Sequence, residues 1–429
     1  MKKSEILPRS TFVSEYIGQL ASASPRGLAS TIFFSFIVFL YLFNLELQGM
    51  GGLALSHLIL LLALRLRFRY PVVVWYSYLR HGILVSLLFV PPLLWTAAYF
   101  YYYQSDAITL MLATIKTYIW SWCVALLMFD MYNRDDSFKR NLLKVLAAFV
   151  FALIAQSIFI LLSFFYSPFS KFVNTLLVVK GNLTGLEDFR SKGLANSGGA
   201  NMSMLLSFGV VTSVCLFYDL RQSKYFIFAI VMAVASALVG RSGLIFSTLF
   251  ITLYCLICGF KTKLFIFLLL FLLVLLLAGN SIDVNSAWGK WFFLEAGDSV
   301  SELQSMIFSE TDITSLLYGA GFFENPIGQH ERSDSGFVRA IYALGLPLAI
   351  YFYSVVIFVF LSALKTVKAG VHVASMSFLY FAIIMTVFML LAFEFKESML
   401  YQNMTGRALF WIANSIVLLR LREKRRRNW

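Results

Sequence analysis

Residues 145–166 have the sequence VLAAFVFALIAQSIFILLSFFY, and this stretch decides the fold class of the chain. It contains no charged residue, and an α-helix needs about 20 apolar residues to cross a bilayer. The alternation of apolar and polar positions that marks a membrane β-strand is missing from it. These residues therefore predict a transmembrane helix.

The rest of the 429-residue chain has the same character, being 60% hydrophobic and 17% aromatic with a mean hydropathy of +0.79. A soluble globular domain is typically about 45–50% apolar. Several apolar runs are short, so bilayer thinning or helix pairing must help them to cross. We therefore predict an all-α polytopic membrane protein with about 12 transmembrane helices, near 28–49, 51–64, 82–103, 108–129, 145–166, 199–218, 225–239, 243–260, 263–279, 336–363, 372–393 and 404–420.

Basic residues are distributed unevenly between the predicted loops. An even number of spans places both termini on one side of the membrane, and most of the 35 Lys and Arg fall on that side. The positive-inside rule makes it the cytoplasmic side. The net charge of +13 is therefore a topology signal and does not indicate a nucleic-acid partner. The basic groups concerned are Lys2, Lys3, Arg9, Arg26 and Arg80, with those in 65–69, 134–144, 221–224, 261–263, 365–368 and 420–427.

The chain divides into five parts along its length. Its first part mixes apolar and basic side chains, which fits an interfacial helix on the inner membrane surface and fits a disordered tail equally well. The longest polar stretch is predicted to be a loop on the opposite, outer side. The parts are 1–27, cytoplasmic or interfacial; 28–279, spans 1–9 with an outer loop near 167–198; 280–335, the large outer loop; 336–420, spans 10–12; and 421–429, a basic cytoplasmic tail.

The motifs that the chain lacks narrow its chemistry. It has no Gly-rich phosphate loop, no dinucleotide-binding fingerprint and no Asp-x-Asp for a metal-bound nucleotide sugar. Its four cysteines lie in apolar runs, where Cys255 and Cys258 are predicted to be small hydrophobic side chains rather than a redox or zinc pair. Of the four histidines only His330 lies in the large loop, which excludes a zinc hydrolase with clustered histidines. We therefore predict no metal and no cofactor.

Basic residues at the predicted outer face are the candidates for binding an anion. Arg241 lies in Leu-Val-Gly-Arg-Ser-Gly, residues 238–243, where two spans meet. The flanking glycines let the backbone break and leave N–H groups beside a guanidinium, which suits a phosphate or pyrophosphate. An ordinary polar turn fits this motif equally well. Because charge at membrane depth is costly, a group of cations at one face favours the anion site: Arg190, Lys192, Arg241, Arg339 and Arg407.

Acidic and histidine side chains stand at the end of the large loop. Residues 328–336 have the sequence GQHERSDSG, directly before an apolar run. Asp334 is a natural N-cap for the helix that follows, and it is equally a carboxylate placed to accept a hydroxyl proton. His330 and Glu331 are further candidates for that proton. The other acids near this face are Glu324, Glu394 and Glu397.

Three motifs resemble the O-antigen polymerases of the Wzy type, within the O-antigen polymerase and ligase superfamily. The stretch SDSGFVRAIYALGLP, residues 333–347, resembles the segment after their large periplasmic loop. Arg241 and Ser242 are similar to the arginine motif of the superfamily. The segments 396–398 (KES) and 407–410 (RALF) resemble its C-terminal end. The motifs are short, whereas the similarity in topology covers nearly the whole chain.

The resemblance implies a membrane-embedded glycosyltransferase of the GT-C-like kind in the bacterial inner membrane. Such an enzyme moves a growing glycan from undecaprenyl pyrophosphate onto another undecaprenyl-pyrophosphate-linked repeat unit at the periplasmic face. Guanidinium groups can stabilise the departing pyrophosphate without a metal. A chain-length regulator protein is a candidate partner on the basis of this resemblance. On this interpretation the substrate-binding residues are Arg190, Lys192, Arg241, Arg339, Lys396 and Arg407, and the catalytic candidates are Asp334, Glu331 and His330.

Three other functions fit parts of the same sequence. The ligase branch usually carries a histidine at the start of the helix after its large loop, where this chain has Asp334 and Ser335, so polymerase is favoured. A flippase for lipid-linked oligosaccharides should show two related halves and short outer loops. A purely structural scaffold is the third alternative. It would not require three arginines at one face, which counts against it: Arg241, Arg339 and Arg407.

The predicted topology can be tested by thiol labelling in a chain whose four cysteines are replaced by serine. We expect Gln304→Cys, in the large loop, to react with a membrane-impermeant maleimide added to intact spheroplasts. Asn428→Cys, in the basic tail, should react only after permeabilisation. The reverse pattern would place the loop in the cytoplasm and contradict a donor substrate at the periplasmic face.

Overall fold

The computed structural model describes residues 25–45, 72–103, 106–128, 138–177, 193–195, 199–258, 313–320, 335–370 and 404–427, together with His57, Leu61, Leu391 and Glu394. The secondary-structure elements of these residues are all α-helices, which confirms the predicted all-α class. In chain order they are α1 (Pro25–Phe43), α2 (Val72–Leu87), α3 (Val90–Tyr103), α4 (Ala107–Leu127), α5 (Phe138–Phe165), α6 (Ser167–Leu176), α7 (Ala200–Leu220), α8 (Ser223–Val239), α9 (Arg241–Cys258), α10 (Ile313–Tyr318), α11 (Gly336–Leu344), α12 (Leu346–Gly370) and α13 (Met404–Arg427).

Helices of membrane-spanning length and composition occur within the described ranges. Three of them, α4, α5 and the Leu346–Val367 part of α12, are long and apolar enough to cross a membrane, and the bent pair α2 and α3 makes a fourth when taken as one span. Shorter apolar helices lie in α1, α7 and α8. The chain is therefore an α-helical membrane protein. The spans predicted near 51–64, 263–279 and 372–393 lie almost entirely outside the described residues.

Helix α13 forms the centre of the helical bundle. Nearly every residue from Met404 to Leu419 is buried, because this stretch is apolar on all sides and a helix of that kind is stable only when other helices surround it. Helices α1, α4, α5, α7 and α12 pack around it. Helix α4 runs parallel to α13, since Tyr118 contacts Phe410 at 5.7 Å between ring centres and Ser121 accepts a 2.6 Å hydrogen bond from Asn414.

Prolines explain why the span predicted at 82–103 is broken. Its two halves, Arg80–Leu87 and Val90–Tyr103, meet at an angle of 50°. Pro91 and Pro92 have no N–H, so the carbonyls of the preceding turn lose their helical donors. Tyr351 of α12 replaces one of them, because its hydroxyl donates to the Leu88 carbonyl at 3.0 Å. The break is therefore stabilised by a side chain from another helix.

A second break divides the span predicted at 336–363. Helix α11 ends at Leu344 and α12 begins at Leu346, with Gly345 between them at φ 78°. The short segment after α10 lies against this break, and a β-carbon on Gly319 would come within 2.7 Å of the Gly345 amide nitrogen. The Ala320 amide also donates to the Tyr342 carbonyl at 2.6 Å. The predicted span therefore consists of two helices with a break at Gly345, where Gly345 and Gly319 allow two backbones to meet.

Aromatic side chains of α3 hold the segment 313–320 in place. Trp95 donates from its indole nitrogen to the Tyr318 carbonyl at 3.3 Å, and the Tyr99 hydroxyl donates to the Gly319 carbonyl at 3.2 Å. One turn further along α3, Tyr101 and Tyr102 are 80% and 74% exposed. Exposed tyrosines at a helix end are typical of the membrane–water interface. Segment 313–320, which lies within the predicted large loop, is thus fastened to the bundle by α3.

Candidate functional site

The first turns of three helices converge at one end of the bundle. Helix α7 begins at Ala200, α9 at Arg241 and α13 at Met404. The Thr405 hydroxyl of α13 donates to the Asn201 carbonyl of α7 at 3.2 Å. Ser203 of α7 contacts the start of α9. We call this group the helix-start cluster: Asn201, Ser203, Gly240, Arg241, Gly243, Thr405 and Arg407.

Ser203 supplies the N-terminal cap that α9 cannot supply for itself. The residue in the N-cap position of α9 is Gly240, which has no side chain. The Ser203 oxygen accepts a 3.0 Å hydrogen bond from the amide of Gly243, the third residue of α9, and its hydroxyl lies against the Gly240 carbonyl. This is the bond that an N-cap serine normally makes within its own helix. The start of α9 is therefore set by α7.

Ser236 of α8 completes the contact between the three helices. Its hydroxyl donates to the Ser203 carbonyl at 2.9 Å, and both side chains are fully buried. A β-carbon on Gly243 would overlap that carbonyl group, and one on Gly240 would lie 2.9 Å from the Ser203 β-carbon. The predicted backbone break at Arg241 is confirmed. Both positions require glycine because the backbone of α7 approaches closely there. A left-handed conformation is not the reason at Gly240, which is extended at φ −173°.

Arg241 is the first residue of α9 and so lies at one of the three helix starts of this cluster. The first N–H groups of a helix have no partner within it, and the helix dipole adds partial positive charge at the same end. Three such helix starts lie side by side here, with α7 in contact with the other two. The structure describes the backbone of Arg241, and its side chain lies outside the described part. The anion site predicted at Arg241 stays a prediction.

Arg407 lies in the first turn of α13 and contacts the end of α1. The Arg407 Nη1 donates to the Leu42 carbonyl at 3.3 Å, and the Tyr41 hydroxyl lies 3.5 Å from the Arg407 carbonyl oxygen. The last carbonyls of a helix lack intrahelical donors, and a cation there also interacts favourably with the helix dipole. Arg407 therefore caps α1, and this contact fixes the guanidinium at the helix-start cluster.

Arg339 lies on a different group of helices. It is half-buried in α11, which packs against α3, α4, α10 and α12. The cap of α11 is Ser335, whose oxygen is 3.5 Å from the Val338 amide nitrogen. The capping role considered for Asp334 is thus filled by the next residue. Helix α4 links the two regions, since it packs against both α11 and α13.

Glu394, one of the acids named near the predicted outer face, forms a buried pair with Tyr353 that the sequence did not predict. Glu394 is 2% exposed, and its Oε1 accepts a 2.9 Å hydrogen bond from the Tyr353 hydroxyl of α12. The Ser335 hydroxyl lies 3.4 Å from the Glu394 carbonyl oxygen. An acidic residue at the end of the apolar run 372–393 was the available signal. Only the fold brings it to the start of α11.

Several predicted site residues lie outside the described part of the chain. Among them, Lys192 directly precedes Gly193, the first residue of the described segment 193–195. Gly193 has φ 58°, and a β-carbon there would lie 3.0 Å from the Ile160 side chain of α5. This described segment, 193–195, therefore packs against α5. The predicted site residues outside the described part are Arg190, Lys192, His330, Glu331, Asp334 and Lys396.

Comparison with known proteins adds no family assignment. No protein-family model matches the chain, and no curated protein matches it. Among the described residues, His, Cys, Asp and Glu form no group of three that could hold a metal ion. The functional inference therefore depends on the chain's own residues and their geometry.

The trans cap of α9 can be tested with two serines of the same helix. Ser203→Ala leaves the buried Gly243 amide without its acceptor, and we expect it to lower the free energy of unfolding by about 1–3 kcal/mol. Ser213 is also fully buried, but its hydroxyl has no hydrogen-bond partner among the described residues. Ser213→Ala should therefore be neutral or stabilising. Thermal unfolding of both variants in detergent is the measurement, and equal losses would contradict the cap.

Proposed function

We propose that the chain polymerises undecaprenyl-pyrophosphate-linked oligosaccharide repeat units into a surface polysaccharide such as O-antigen. The reaction takes place at the periplasmic face of the bacterial inner membrane. In this proposal the chain has about twelve spans and both termini are cytoplasmic. The helix-start cluster then faces the periplasm and binds the pyrophosphate of the donor.

The observation that carries this proposal is the convergence of three helix starts, two of which carry Arg241 and Arg407. A pyrophosphate needs several hydrogen-bond donors and positive charge, and helix N-termini supply both. A guanidinium adds planar donors that match phosphate oxygens in pairs. The contact between Arg407 and the Leu42 carbonyl holds one such group at the cluster. In the proposal, the guanidinium groups and helix starts of the cluster supply the donors for the pyrophosphate of the glycan.

The chemistry follows from the leaving group. A hydroxyl oxygen of the acceptor sugar attacks the anomeric carbon of the donor glycan, and the bond from that carbon to the pyrophosphate oxygen breaks. The acceptor proton passes to a base, and the pyrophosphate departs with the bonding electrons. Donors fixed in advance around the charge that develops lower the barrier, and one such donor is worth about 10²–10³ in rate. Arg241 and Arg407 fill this role in the proposal.

The acceptor side is proposed to lie at the start of α11. Ser335 caps this helix, and Arg339 follows one turn later, with its amide donating to the Ser335 carbonyl at 3.0 Å. Asp334 precedes the cap and is the proposed base, with Glu331 and His330 as the other candidates. Arg190, Lys192 and Lys396 are proposed to bind the glycan or its pyrophosphate. A chain-length regulator is the proposed protein partner.

A lipid-linked oligosaccharide flippase is the second candidate, and one observation favours it. Broken helices at membrane depth are typical of transporters, and the chain has a 50° break between α2 and α3 as well as the break at Gly345. Ligation of the glycan to lipid A-core is the third. All three use the same donor, so a polysaccharide ladder has to separate them.

A deletion strain and its complementation test the proposed function. We expect the deletion to leave one repeat unit on the lipopolysaccharide core, because ligation continues without polymerisation. A core without any repeat unit would indicate a ligase or a flippase. We expect Arg241→Ala to fail to restore the ladder, and Arg241→Lys to restore little because lysine lacks the planar fork. Lys365→Ala, an exposed cation on α12, is the control and should restore it fully. All variants must be present in the membrane at the wild-type level.

The proposed base can be tested at the end of the large loop. Asp334→Asn keeps the size and polarity of the side chain but cannot accept a proton, and we expect it to remove most polymerisation. His330→Ala is the matched change and should retain the ladder. If Asp334→Asn makes full-length polymer, Asp334 is not the base. If His330→Ala alone abolishes polymer, a histidine-dependent, ligase-like mechanism is the better interpretation.

A further inference from the structure

Glu394 is a buried acidic residue that the proposed reaction does not use. It is 2% exposed and follows an apolar stretch of a membrane protein. An ionisable side chain in such a place is costly, and for that reason it usually has a functional partner. Its burial also keeps it away from a bound sugar. A role through neighbouring residues is therefore the one to consider.

Glu394 contacts both helices that meet at Gly345, through Tyr353 of α12 and Ser335, the cap of α11. Its carboxylate accepts from the Tyr353 hydroxyl at 2.9 Å, and its backbone carbonyl lies 3.4 Å from the Ser335 hydroxyl. Tyr353 in turn packs on Phe337, with ring centres 4.7 Å apart. Ser335 and Phe337 belong to the start of α11, and Tyr353 belongs to α12. Glu394 thus joins both sides of the Gly345 break.

Helix α11 needs such external support. It has nine residues, and isolated helices shorter than about 12–15 residues are marginal in water. It is separated from α12 by Gly345, so α12 does not continue it. The position of its first turn, with Ser335 and Arg339, therefore depends on side-chain contacts. The pair of Glu394 and Tyr353 supplies one of these from outside the helix.

We propose that Glu394, through its hydrogen bond with Tyr353, is a positioning residue for the acceptor half of the transfer site. It holds the first turn of α11 so that Arg339 meets the acceptor sugar in a fixed geometry. This inference rests on the proposed polymerase function. A shift of about 1 Å in a reacting group can cost 10²-fold in rate, so the effect falls on turnover more than on substrate binding.

Two measurements on purified, reconstituted protein test the proposal. The first is hydrogen–deuterium exchange of the peptide covering residues 336–344. The second is the rate of polymer formation in proteoliposomes, with lipid-linked repeat units extracted from the deletion strain as substrate. We expect Glu394→Ala and Tyr353→Phe to raise the exchange rate and to lower kcat about tenfold, with KM changing less than about twofold. The double variant should be no worse than Glu394→Ala, because both changes remove one interaction.

Two further variants show how the pair acts. Glu394→Gln keeps an oxygen that can accept from Tyr353 and should retain most of kcat. Tyr351→Phe removes a hydroxyl two residues away that serves the Leu88 carbonyl, and it should leave kcat and the exchange of 336–344 unchanged. Tyr353→Phe removes a single oxygen, so it remains informative if Glu394→Ala does not fold.

The outcomes separate this proposal from the function on which it rests. Unchanged exchange in both Glu394→Ala and Tyr353→Phe would overturn the positioning role. If Glu394→Gln is as inactive as Glu394→Ala, the carboxylate takes part in proton transfer and positioning is wrong. If exchange rises as expected while the wild-type protein makes no polymer, the contact stands and the polymerase function fails.

Discussion

A backbone amide or carbonyl that loses its helical partner inside a membrane has to find another within the protein, because lipid offers none. This chain interrupts its helices near Leu88, at Gly240 and at Gly345. Side chains from other helices serve several of the groups freed at these breaks and at helix ends: Tyr351 donates to Leu88, Ser203 accepts from Gly243, Arg407 donates to Leu42, and Tyr99 donates to Gly319. Each break is thereby tied to a particular neighbour.

The same requirement brings functional groups together. Capping α9 from α7 places two helix starts side by side, and the bond between Thr405 and the Asn201 carbonyl adds the start of α13. The hydrogen bond from the Arg407 guanidinium to the end of α1 holds this side chain beside the start of α13. The candidate anion site is thus built from contacts that the bundle needs for its stability. Loss of one of them therefore alters both stability and the site.

The sequence was sufficient for the parts of the fold that depend on local pattern. Long apolar runs predicted α4, α5 and α13, and glycines on both sides of Arg241 predicted the break there. The break at Gly345 was missed because an apolar run continues through it, although Gly345 and Pro347 were a local signal. The bonds of Ser203 with Gly243 and of Tyr353 with Glu394 join residues 40 and 41 positions apart. No local pattern specifies such pairs, so only the packed structure revealed them.

The contact between Gly319 and Gly345 divides the large loop into two separate connections. One covers residues 280–312, before the docked segment 313–320, and the other covers residues 321–334, between that segment and Ser335. The free energy of closing a loop grows only slowly with its length, so the first connection can gain or lose residues at little thermodynamic cost. The second joins two points held close on the same bundle, and changes there act directly on the cap of α11. Variation in loop length among related chains is therefore best tolerated on the side before residue 313.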